Sequence, residues 1–367
     1  MLRGVNEELA LPLLAQRPIV TADSAFHESI RGRRVMVTGA GGSIGSELVL
    51  QIAASAPDTL IMVEHSEFNL YEVQATLDNS NLRLDRHALL ADVRDQSTMR
   101  AIFHKHRPEM VFHAAALKHV PLLENEHNLI EAVRTNVVGT KIVADLCCVY
   151  GSDFVLISTD KAVNPSSGMG LTKRVAEVYV HALSQRFPDV RLGQVRFGNV
   201  LGSSGSVVPL FRRQIAQGGP VTITDPEMTR YLMTIKEAVT LTLSAADLQQ
   251  YEPGYGCYVL DMGEPVKIID LARQLIRQSG LRPGKDIKLQ VIGARPGEKL
   301  HEELSYAWEK LEATGVEGVR RARPDFNPSK MSPHIEHLLF AAKARDAIEV
   351  AKAVSAIVPE FQGQVSY

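Results

Sequence analysis

Short apolar runs alternate with longer helical segments through the first half of this chain. Runs that have the length of buried strands occur at residues 35–37, 60–63, 88–91, 110–112 and 154–157. The segments between them are long enough for helices, as at 129–149. Because this alternation is typical of parallel sheets covered by helices, the pattern predicts a doubly wound α/β fold.

The pattern is less regular in the second half. It predicts strands at 193–197, 221–223, 258–260 and 287–292, and helices at 171–183, 207–215, 234–248 and 268–279. Residues 311–332 are polar and contain prolines, which predicts a loop. Amphipathic periodicity from 335 to 357 predicts one helix near the end of the chain.

Composition narrows the class of protein. The chain has 367 residues, 45% of them hydrophobic and 22% charged, as in a globular protein. The net charge of −2 supplies no basic field for nucleic acid or acidic lipid. The three cysteines, Cys147, Cys148 and Cys257, lack metal-ligand spacing and no secretory signal precedes them. With no apolar run long enough to cross a bilayer, we expect a cytoplasmic protein without a metal site.

A glycine-rich loop joins the first predicted strand to the first helix. It reads T-G-A-G-G-S-I-G, with Gly39, Gly42 and Gly45 three residues apart and Ser43 and Ile44 at the start of the helix. Glycines let the backbone turn tightly and approach a pyrophosphate at the helix N-terminus. The loop therefore predicts a dinucleotide site.

Residues after the next three strands refine that prediction. Glu64 ends the second strand, where a carboxylate can accept both ribose hydroxyls and would repel a 2′-phosphate. This favours NAD over NADP; the alternative is a surface Glu that ends the strand. The third strand leads to Asp92 and Val93, placed for the adenine edge, and the fourth to three small residues that leave room for a flat cofactor: Ala114, Ala115 and Ala116.

The strand at 154–157 delivers several chemically capable side chains at its carboxyl end. The sequence S-T-D-K follows it, and the next helix carries Met169 and Lys173 four residues apart on one face. Ligands of open α/β sheets bind beyond the carboxyl ends of strands, so chemistry is expected here. A polar turn with no function is the alternative.

Taken together, these motifs resemble those of the extended short-chain dehydrogenase/reductase superfamily. The chain is most similar to the nucleotide-sugar 4,6-dehydratases of bacterial polysaccharide synthesis that act on UDP-N-acetylglucosamine. The resemblance covers about residues 33–303. It rests on six ordered stretches: V-T-G-A-G-G-S-I-G-S-E-L at 37–48, H-S-E-F-N-L-Y at 65–71, A-A-L-K-H-V-P at 115–121, S-T-D-K-A at 158–162, R-F-G-N-V-L-G-S at 196–203 and R-P-G-E-K at 295–299.

The chain departs from the family pattern at two places. Met169 stands where many members have the Tyr of Tyr-x-x-x-Lys, and a thioether cannot act as a base. One dehydratase branch shares this Met and is usually described as retaining the configuration at C5. Long members also carry transmembrane helices before the dehydratase, whereas this chain begins with a segment, Arg17-Pro18-Ile19, that resembles the following linker. We expect a short member or part of a longer, membrane-associated one.

The resemblance implies an internal redox reaction with loss of water, in which the sugar is oxidised at C4, dehydrated across C5 and C6, and reduced at C6. It implies Asp160 as the acid at C6 and Lys161 as the base at C5. Lys161 would have to be neutral, through burial or nearby cations. Lys173 would hold the nicotinamide ribose and favour loss of the C4 proton. Thr159 would relay that proton to Asp160 or to water.

Substrate-binding residues are predicted on several loops. Lys118 and His119 follow the fourth strand near cofactor and sugar, unless they form a solvated basic turn. By resemblance, Asn199 contacts the diphosphate or the N-acetyl region. Two arginines suit a diphosphate because a guanidinium matches two phosphate oxygens, and a glutamate could accept the uridine ribose hydroxyls: Arg230, Arg295 and Glu298. His113 and the other histidines are expected to be packed or solvated.

These observations predict a Rossmann-like doubly wound sheet followed by a smaller C-terminal substrate-binding domain. The expected parts are an extension at 1–30, an NAD-binding domain at 31–200 completed by parts of 234–262, a nucleotide-sugar-binding domain at 201–233 and 263–332, and a helical segment at 333–367. A homo-oligomer is expected. Two alternatives stay open: a nucleotide-sugar 4-epimerase, which normally keeps the Tyr base, and a non-catalytic NAD-binding regulator.

Overall fold

The computed structural model describes residues 30–80, 82–251, 254–324 and 328–361. Nearly all of the predicted N-terminal extension, including Arg17-Pro18-Ile19, lies outside these residues. In the described part of the chain, no helix is long and apolar enough to cross a membrane.

A nine-stranded sheet forms the centre of the molecule, and seven of its strands are parallel. Across the sheet the strands follow the order β14-β15-β11-β6-β5-β4-β1-β2-β3, in which β14 is Lys310–Ala313 and β15 is Val319–Arg323. The parallel strands are β1 (Arg34–Thr38), β2 (Thr59–Glu64), β3 (Asp85–Leu90), β4 (Met110–His113), β5 (Asp153–Ile157), β6 (Leu192–Arg196) and β11 (Tyr255–Leu260). The fold class predicted from the sequence is confirmed.

Helices cover both faces of this sheet. One face packs on α1 (Ser43–Ala54), α2 (Glu67–Asp78) and α9 (Ile235–Tyr251), with an apolar core between them. The other face packs on α3 (Gln96–His106), α6 (Thr140–Tyr150) and α7 (Gly168–Arg186). Because β1 lies between β2 and β4, the chain reverses its direction of winding there. Ligands of doubly wound sheets bind in the crevice at this reversal.

The segment before β5 is a longer helical run than the periodicity predicted. It begins with α4 (Val120–Leu123) and α5 (Glu126–Ala132), continues through a π-helical turn (Val133–Gly139) and ends with α6. Asn125 caps α5 by accepting hydrogen bonds from the backbone N–H of His127 and Asn128. Such π-helical turns are frequent at functional sites.

A smaller unit with its own apolar core follows β6. It contains α8 (Val207–Ala216), β8 (Val221–Ile223), α10 (Ile268–Gln278) and β13 (Leu289–Val291). Two short strand pairs form separate two-stranded sheets: β7 (Asn199–Val200) with β10 (Leu232–Met233), and β9 (Thr229–Arg230) with β12 (Val266–Lys267). Strand β11 belongs to the large sheet, and α9 packs on that sheet. The predicted division into domains stays a prediction.

The prediction of a loop at 311–332 is wrong. Residues 310–323 form a hairpin of β14 (Lys310–Ala313) and β15 (Val319–Arg323), which extends the sheet antiparallel to β11. Its charged side chains face outward at the sheet edge, while Val319 and Ala322 are buried. Charged residues are common on edge strands, so composition alone suggested a loop.

The predicted single helix at 335–357 is also wrong, because the structure has two. They are α11 (Ser332–Ala344) and α12 (Ala347–Ile357), separated at Arg345, whose φ is 58°. The Asp346 side chain caps α12 by accepting a hydrogen bond from the N–H of Glu349. This capping residue was the local signal for the break.

Candidate active site

A cavity of about 430 Å³ opens at the carboxyl ends of β1, β4, β5 and β6. It collects residues that the sequence singled out from five separate segments. Those lining it are Gly42, Ser43, Ile44, Gly45, Ala114, Ala116, Lys118, His119, Thr159, Lys161, Met169, Lys173 and Asn199. The sequence motifs therefore converge on one place.

The glycine-rich loop forms one wall of this cavity and is packed tightly against its neighbours. Gly39 has a φ of +66°, and a Cβ there would lie 2.6 Å from the backbone nitrogen of Ala115. A Cβ on Gly45 would lie 1.9 Å from the carbonyl oxygen of Gly39. Only glycine fits these two positions, so the loop holds the N-terminus of α1 facing the cavity.

Glu64 lies behind the loop and is almost fully buried. One carboxylate oxygen accepts a hydrogen bond from the backbone N–H of Gly41 (3.0 Å). The other accepts from the backbone N–H groups of His65 and Ser66 (3.0 Å each). Glu64 thus ties the glycine-rich loop to the end of β2, a structural role that the sequence did not predict, and its contact with a ribose stays a prediction.

Asp92 and Val93 lie beside the cavity and do not line it. The Asp92 carboxylate pairs with the guanidinium of Arg94, with N–O distances from 2.6 to 3.0 Å. Burial opposes ionisation of Asp92, but its hydrogen bonds and ion pair with Arg94 leave its pKa below the usual value. Val93 is buried against the π-helical turn near Gly139.

The stretch after β5 forms a compact polar cluster. The Thr159 hydroxyl donates a hydrogen bond to Asp160 Oδ1 (2.8 Å), and Lys161 Nζ donates to the same oxygen (3.0 Å). Asp160 is fully buried, and Oδ2 has no hydrogen-bond partner within the described residues. Asp160 does not itself line the cavity, so its connection to the cavity runs through Thr159 and Lys161.

Lys161 is held by oxygen atoms from three directions. Besides Asp160, its Nζ donates to Asn199 Oδ1 (2.7 Å) and lies 3.7 Å from Glu302 Oε1. We expected burial or nearby cations around Lys161, whereas the contacts of its Nζ within the described residues are to oxygen atoms. Sequence reasoning assigned no role to Glu302, because nothing in its local pattern indicates this long-range contact.

Helix α7 brings Met169 and Lys173 to the cavity from its first turns. The Ser167 side chain caps the helix by accepting from the N–H of Gly170. Met169, which stands at the position of the tyrosine in the motif Tyr-x-x-x-Lys, packs against Leu123 and Ala132. Lys173 Nζ donates to the carbonyl oxygen of Ile157 (2.5 Å). Burial lowers the pKa of Lys173 to about 8.

A buried ionic network supports this cluster from below. Glu177 accepts hydrogen bonds from Ser158 Oγ (2.6 Å) and from the guanidinium of Arg196 (2.7 and 2.8 Å). Arg196 also pairs with Glu309 at 2.6 Å, and all three charged side chains are at most 1% exposed. The sequence analysis missed this network, although charged residues inside an otherwise apolar strand and helix were a signal for it.

Asn136 is a second supporting residue that the sequence analysis missed. It is fully buried in the π-helical turn. Its Oδ1 accepts from the N–H of Leu117 (2.8 Å), and its Nδ2 donates to the Leu117 carbonyl (2.9 Å). This clamp fixes the segment that carries Lys118 and His119 into the cavity.

A smaller cavity of about 120 Å³ lies beyond Lys161 and Asn199, which line both cavities. Arg230 and Glu298 line the smaller one, whereas Arg295 is exposed and lines neither. The Arg230 guanidinium donates to the backbone carbonyls of Thr229, Lys299 and Leu300 (2.7, 2.9 and 3.2 Å). Its donors therefore hold the 299–300 segment in this structure, while the diphosphate role remains a prediction.

His113 and the three cysteines pack inside the fold. His113 is fully buried and hydrogen-bonded to Thr38 and Thr140 through its two ring nitrogens. Burial lowers its pKa to about 3. Cys147 and Cys257 are buried and Cys148 is half-buried. Within the described residues, no group of three or more His, Cys, Asp or Glu is arranged to hold a metal ion.

Comparison with known proteins shows that the chain belongs to a known sequence family. The family model described as "Polysaccharide biosynthesis protein" matches residues 35–324. The capsular polysaccharide biosynthesis protein CapD of Staphylococcus aureus is 47% identical over 294 residues, covering 80% of this chain and 48% of CapD. The chain spans about half the length of CapD and of EpsC of Bacillus subtilis, another curated relative.

Two other relatives carry names of enzymes. The UDP-N-acetylglucosamine 4,6-dehydratase (inverting) of Campylobacter jejuni is 32% identical over 277 residues, covering 74% of this chain and 77% of that protein. The UDP-glucose 4-epimerase of Rickettsia prowazekii is 32% identical over 304 residues, covering 80% and 83%. Both names concern enzymes that modify nucleotide sugars.

Among solved structures, Pen from Bacillus thuringiensis is similar to this chain. The TM-score is 0.67 at 30% identity, over 75% of this chain and 83% of Pen. The fold is therefore shared along most of both chains.

Proposed function

Because the chain belongs to the polysaccharide biosynthesis protein family, we propose that it is a nucleotide-sugar 4,6-dehydratase. Its substrate would be UDP-N-acetylglucosamine and its product a UDP-4-keto-6-deoxy-N-acetylhexosamine. The observation that carries the proposal is the contact between the Asp160 carboxylate and the Lys161 amino group. Lys161 lines the cavity together with Met169, while Asp160 is buried next to it and does not line the cavity. Such a pair supplies the acid and the base that elimination of water needs.

NAD fits the residues of the cavity. The backbone N–H groups at the start of α1 and the close-packed glycines form a cradle for a pyrophosphate, and Ala114 and Ala116 leave space beside it. Glu64 and Asp92 would serve the adenosine half. When bound, NAD supplies the reversible oxidation and reduction of the sugar.

Lys173 and Thr159 would act at the C4 hydroxyl. The Lys173 ammonium lies in the cavity and would hold the nicotinamide ribose, and its positive charge favours loss of the C4 proton. The Thr159 hydroxyl already donates to Asp160, so it offers a path for that proton to the carboxylate. Met169 occupies the tyrosine position without supplying a base.

Asp160 and Lys161 would carry out the elimination. Lys161 would take the proton from C5, whose acidity is raised by the C4 ketone, and give a proton back from its ammonium to the same face, so that the configuration is retained. Asp160 would protonate the C6 hydroxyl, which leaves as water. Lys118, His119, Asn199 and Glu298 would contact the nucleotide sugar from the cavity walls.

The epimerase named among the relatives gives a second candidate function. A 4-epimerase needs the same oxidation at C4 but no acid at C6 or base at C5. Its usual tyrosine is replaced here by Met169, which favours dehydration.

Incubation with UDP-N-acetylglucosamine and no added electron acceptor tests the proposal. Mass spectrometry should show a nucleotide sugar lighter by one water, and heavy water should introduce deuterium at C5. A new isomer of unchanged mass would indicate epimerisation instead. Protein with NAD bound that alters no UDP-sugar would contradict both enzyme functions.

Asp160→Asn should remove the acid at C6 while keeping the size of the side chain. We expect dehydration to fall about 10²–10⁴-fold, measured as the rate of water loss from the nucleotide sugar. Asp189→Asn, at an exposed carboxylate, is the matched control and should keep the wild-type rate. Wild-type turnover by Asp160→Asn would refute the assignment.

A further inference from the structure

Glu302 lies in the wall of the smaller cavity, directly behind Lys161. Its side chain is only 4% exposed. Oε1 lies 3.7 Å from Lys161 Nζ and 3.8 Å from Arg230 Nε, and Oε2 has no hydrogen-bond partner within the described residues. A buried carboxylate that is only partly satisfied is costly, which suggests that it serves another group.

Charged groups of both signs surround Glu302. Burial, together with the charge of Asp160, raises the pKa of Glu302 above its usual value, although the charges of Lys161, Arg230 and Lys299 oppose this shift. Lys161 lies between two carboxylates, with Asp160 Oδ1 at 3.0 Å and Glu302 Oε1 at 3.7 Å. Removing either carboxylate would leave the other as the counter-charge of the lysine.

We propose that Glu302 is a positioning residue for Lys161, holding its Nζ between Asp160 and Asn199 and setting the pH at which the amine becomes neutral. The proposal rests on the proposed function in that Lys161 is the base at C5. Asp160 must carry a proton to act as the acid at C6, and in that state it no longer balances the charge of Lys161. Glu302 is then the remaining carboxylate next to Nζ.

Glu302 itself neither gains nor loses a proton in the proton transfer from C5. The C5–H bond breaks, its electron pair stays with the substrate as an enolate, and the proton forms an N–H bond with Lys161. The resulting ammonium faces Glu302, whose negative charge stabilises it. Return of a proton from this ammonium to C5 regenerates the neutral amine.

The pH dependence of Lys161 labelling tests this without any substrate. The NAD-containing protein is treated briefly with a small amine-reactive acylating reagent across a pH series, and acylated Lys161 is quantified by peptide mass spectrometry. Only the neutral amine reacts, so the rate reports its fraction. Glu302→Gln should move the labelling midpoint of Lys161 down by roughly 1 pH unit or more, because an opposite charge nearby is lost.

Glu303→Gln is the matched control. Glu303 is the next residue, is half-exposed and pairs with Lys299 rather than Lys161. Its substitution should leave the Lys161 midpoint at the wild-type value. An unchanged midpoint in Glu302→Gln, or an equal shift in both variants, would overturn the proposal.

Glu302→Asp separates an electrostatic role from a packing role. Withdrawing the carboxylate by one methylene should give a smaller shift in the same direction, and this variant carries the test if Glu302→Gln does not fold. In a protein that dehydrates UDP-N-acetylglucosamine, the rising limb of kcat against pH should follow the labelling midpoint of each variant. If no UDP-sugar is converted, the proposed dehydratase function fails, but the labelling result still decides whether Glu302 positions Lys161. The two proposals can therefore fail independently.

Discussion

At the scale of single residues, burial decides what the polar side chains of this site can do. Asp160 and Lys173 are ordinary residue types, but one is fully buried and the other nearly so. For Lys173, desolvation disfavours the charged form and lowers the pKa. The Lys173 amino group donates its hydrogen bond to the carbonyl group of Ile157, which is neutral and does not compensate a positive charge as a carboxylate would.

Lys173→Met should change the pH dependence of stability. Burial lowers the pKa of Lys173 to about 8 in the folded protein, against 10.5 for an unperturbed lysine. Between these values the unfolded chain binds more protons than the folded one, so the wild type gains stability relative to the variant as pH rises. From about pH 7.5 to about pH 9.5 the gain should be about 2 kcal/mol, measured by urea unfolding of both proteins.

Comparing the two proteins at each pH cancels the contributions of groups that they share. Lys310→Met, at a lysine whose side chain is 78% exposed, serves as the control and should give a constant difference from the wild type. A constant difference for Lys173→Met would mean that Lys173 is not desolvated.

At the scale of elements, helix α7 organises three parts of the molecule at once. Its first turns carry Met169 and Lys173 into the cavity, while Glu177 joins the ionic network under β5 and β6. A third side of the helix packs against the C-terminal helices through Leu171 and Val175. Because all its sides are covered, the helix lacks the polar face of a surface helix.

Arg196→Met should destabilise the protein strongly, because it leaves Glu177 and Glu309 buried without their shared cation. Removing one partner of a buried ion pair costs about 3–5 kcal/mol, which chemical denaturation would detect. Arg282→Met breaks an exposed pair with Asp286 and should change stability little. Similar stability of the two variants would contradict the structural role of the network.

At the scale of the whole molecule, the C-terminal helices lie beyond the residues that the family model matches. They nevertheless share a core with α7, and Glu360 beyond them reaches Arg174 (3.5 Å) and the hydroxyl of Tyr306 (3.0 Å). The end of the described chain is therefore attached to the helix that carries Met169 and Lys173.

Leu338→Ala tests this attachment. Leu338 is fully buried in the shared core, so truncation should cost about 2–5 kcal/mol in the free energy of unfolding. Phe340→Ala lies two residues away on a side chain that is 73% exposed and should change stability by about 0.5 kcal/mol or less. Equal effects would mean that the helices do not stabilise the rest of the molecule.

The sequence by itself determined the parallel strands, the glycine-rich loop and the polar stretch at 158–161, because each depends on local periodicity or on the steric demands of a few neighbouring residues. Only the tertiary structure decided that 310–323 joins the sheet, since pairing with β11 outweighs a polar composition. It alone brought Glu302 to Lys161, Glu309 to Arg196 and Asn136 to Leu117. These contacts join residues far apart in the chain, and their energy comes from burial, which no local pattern specifies.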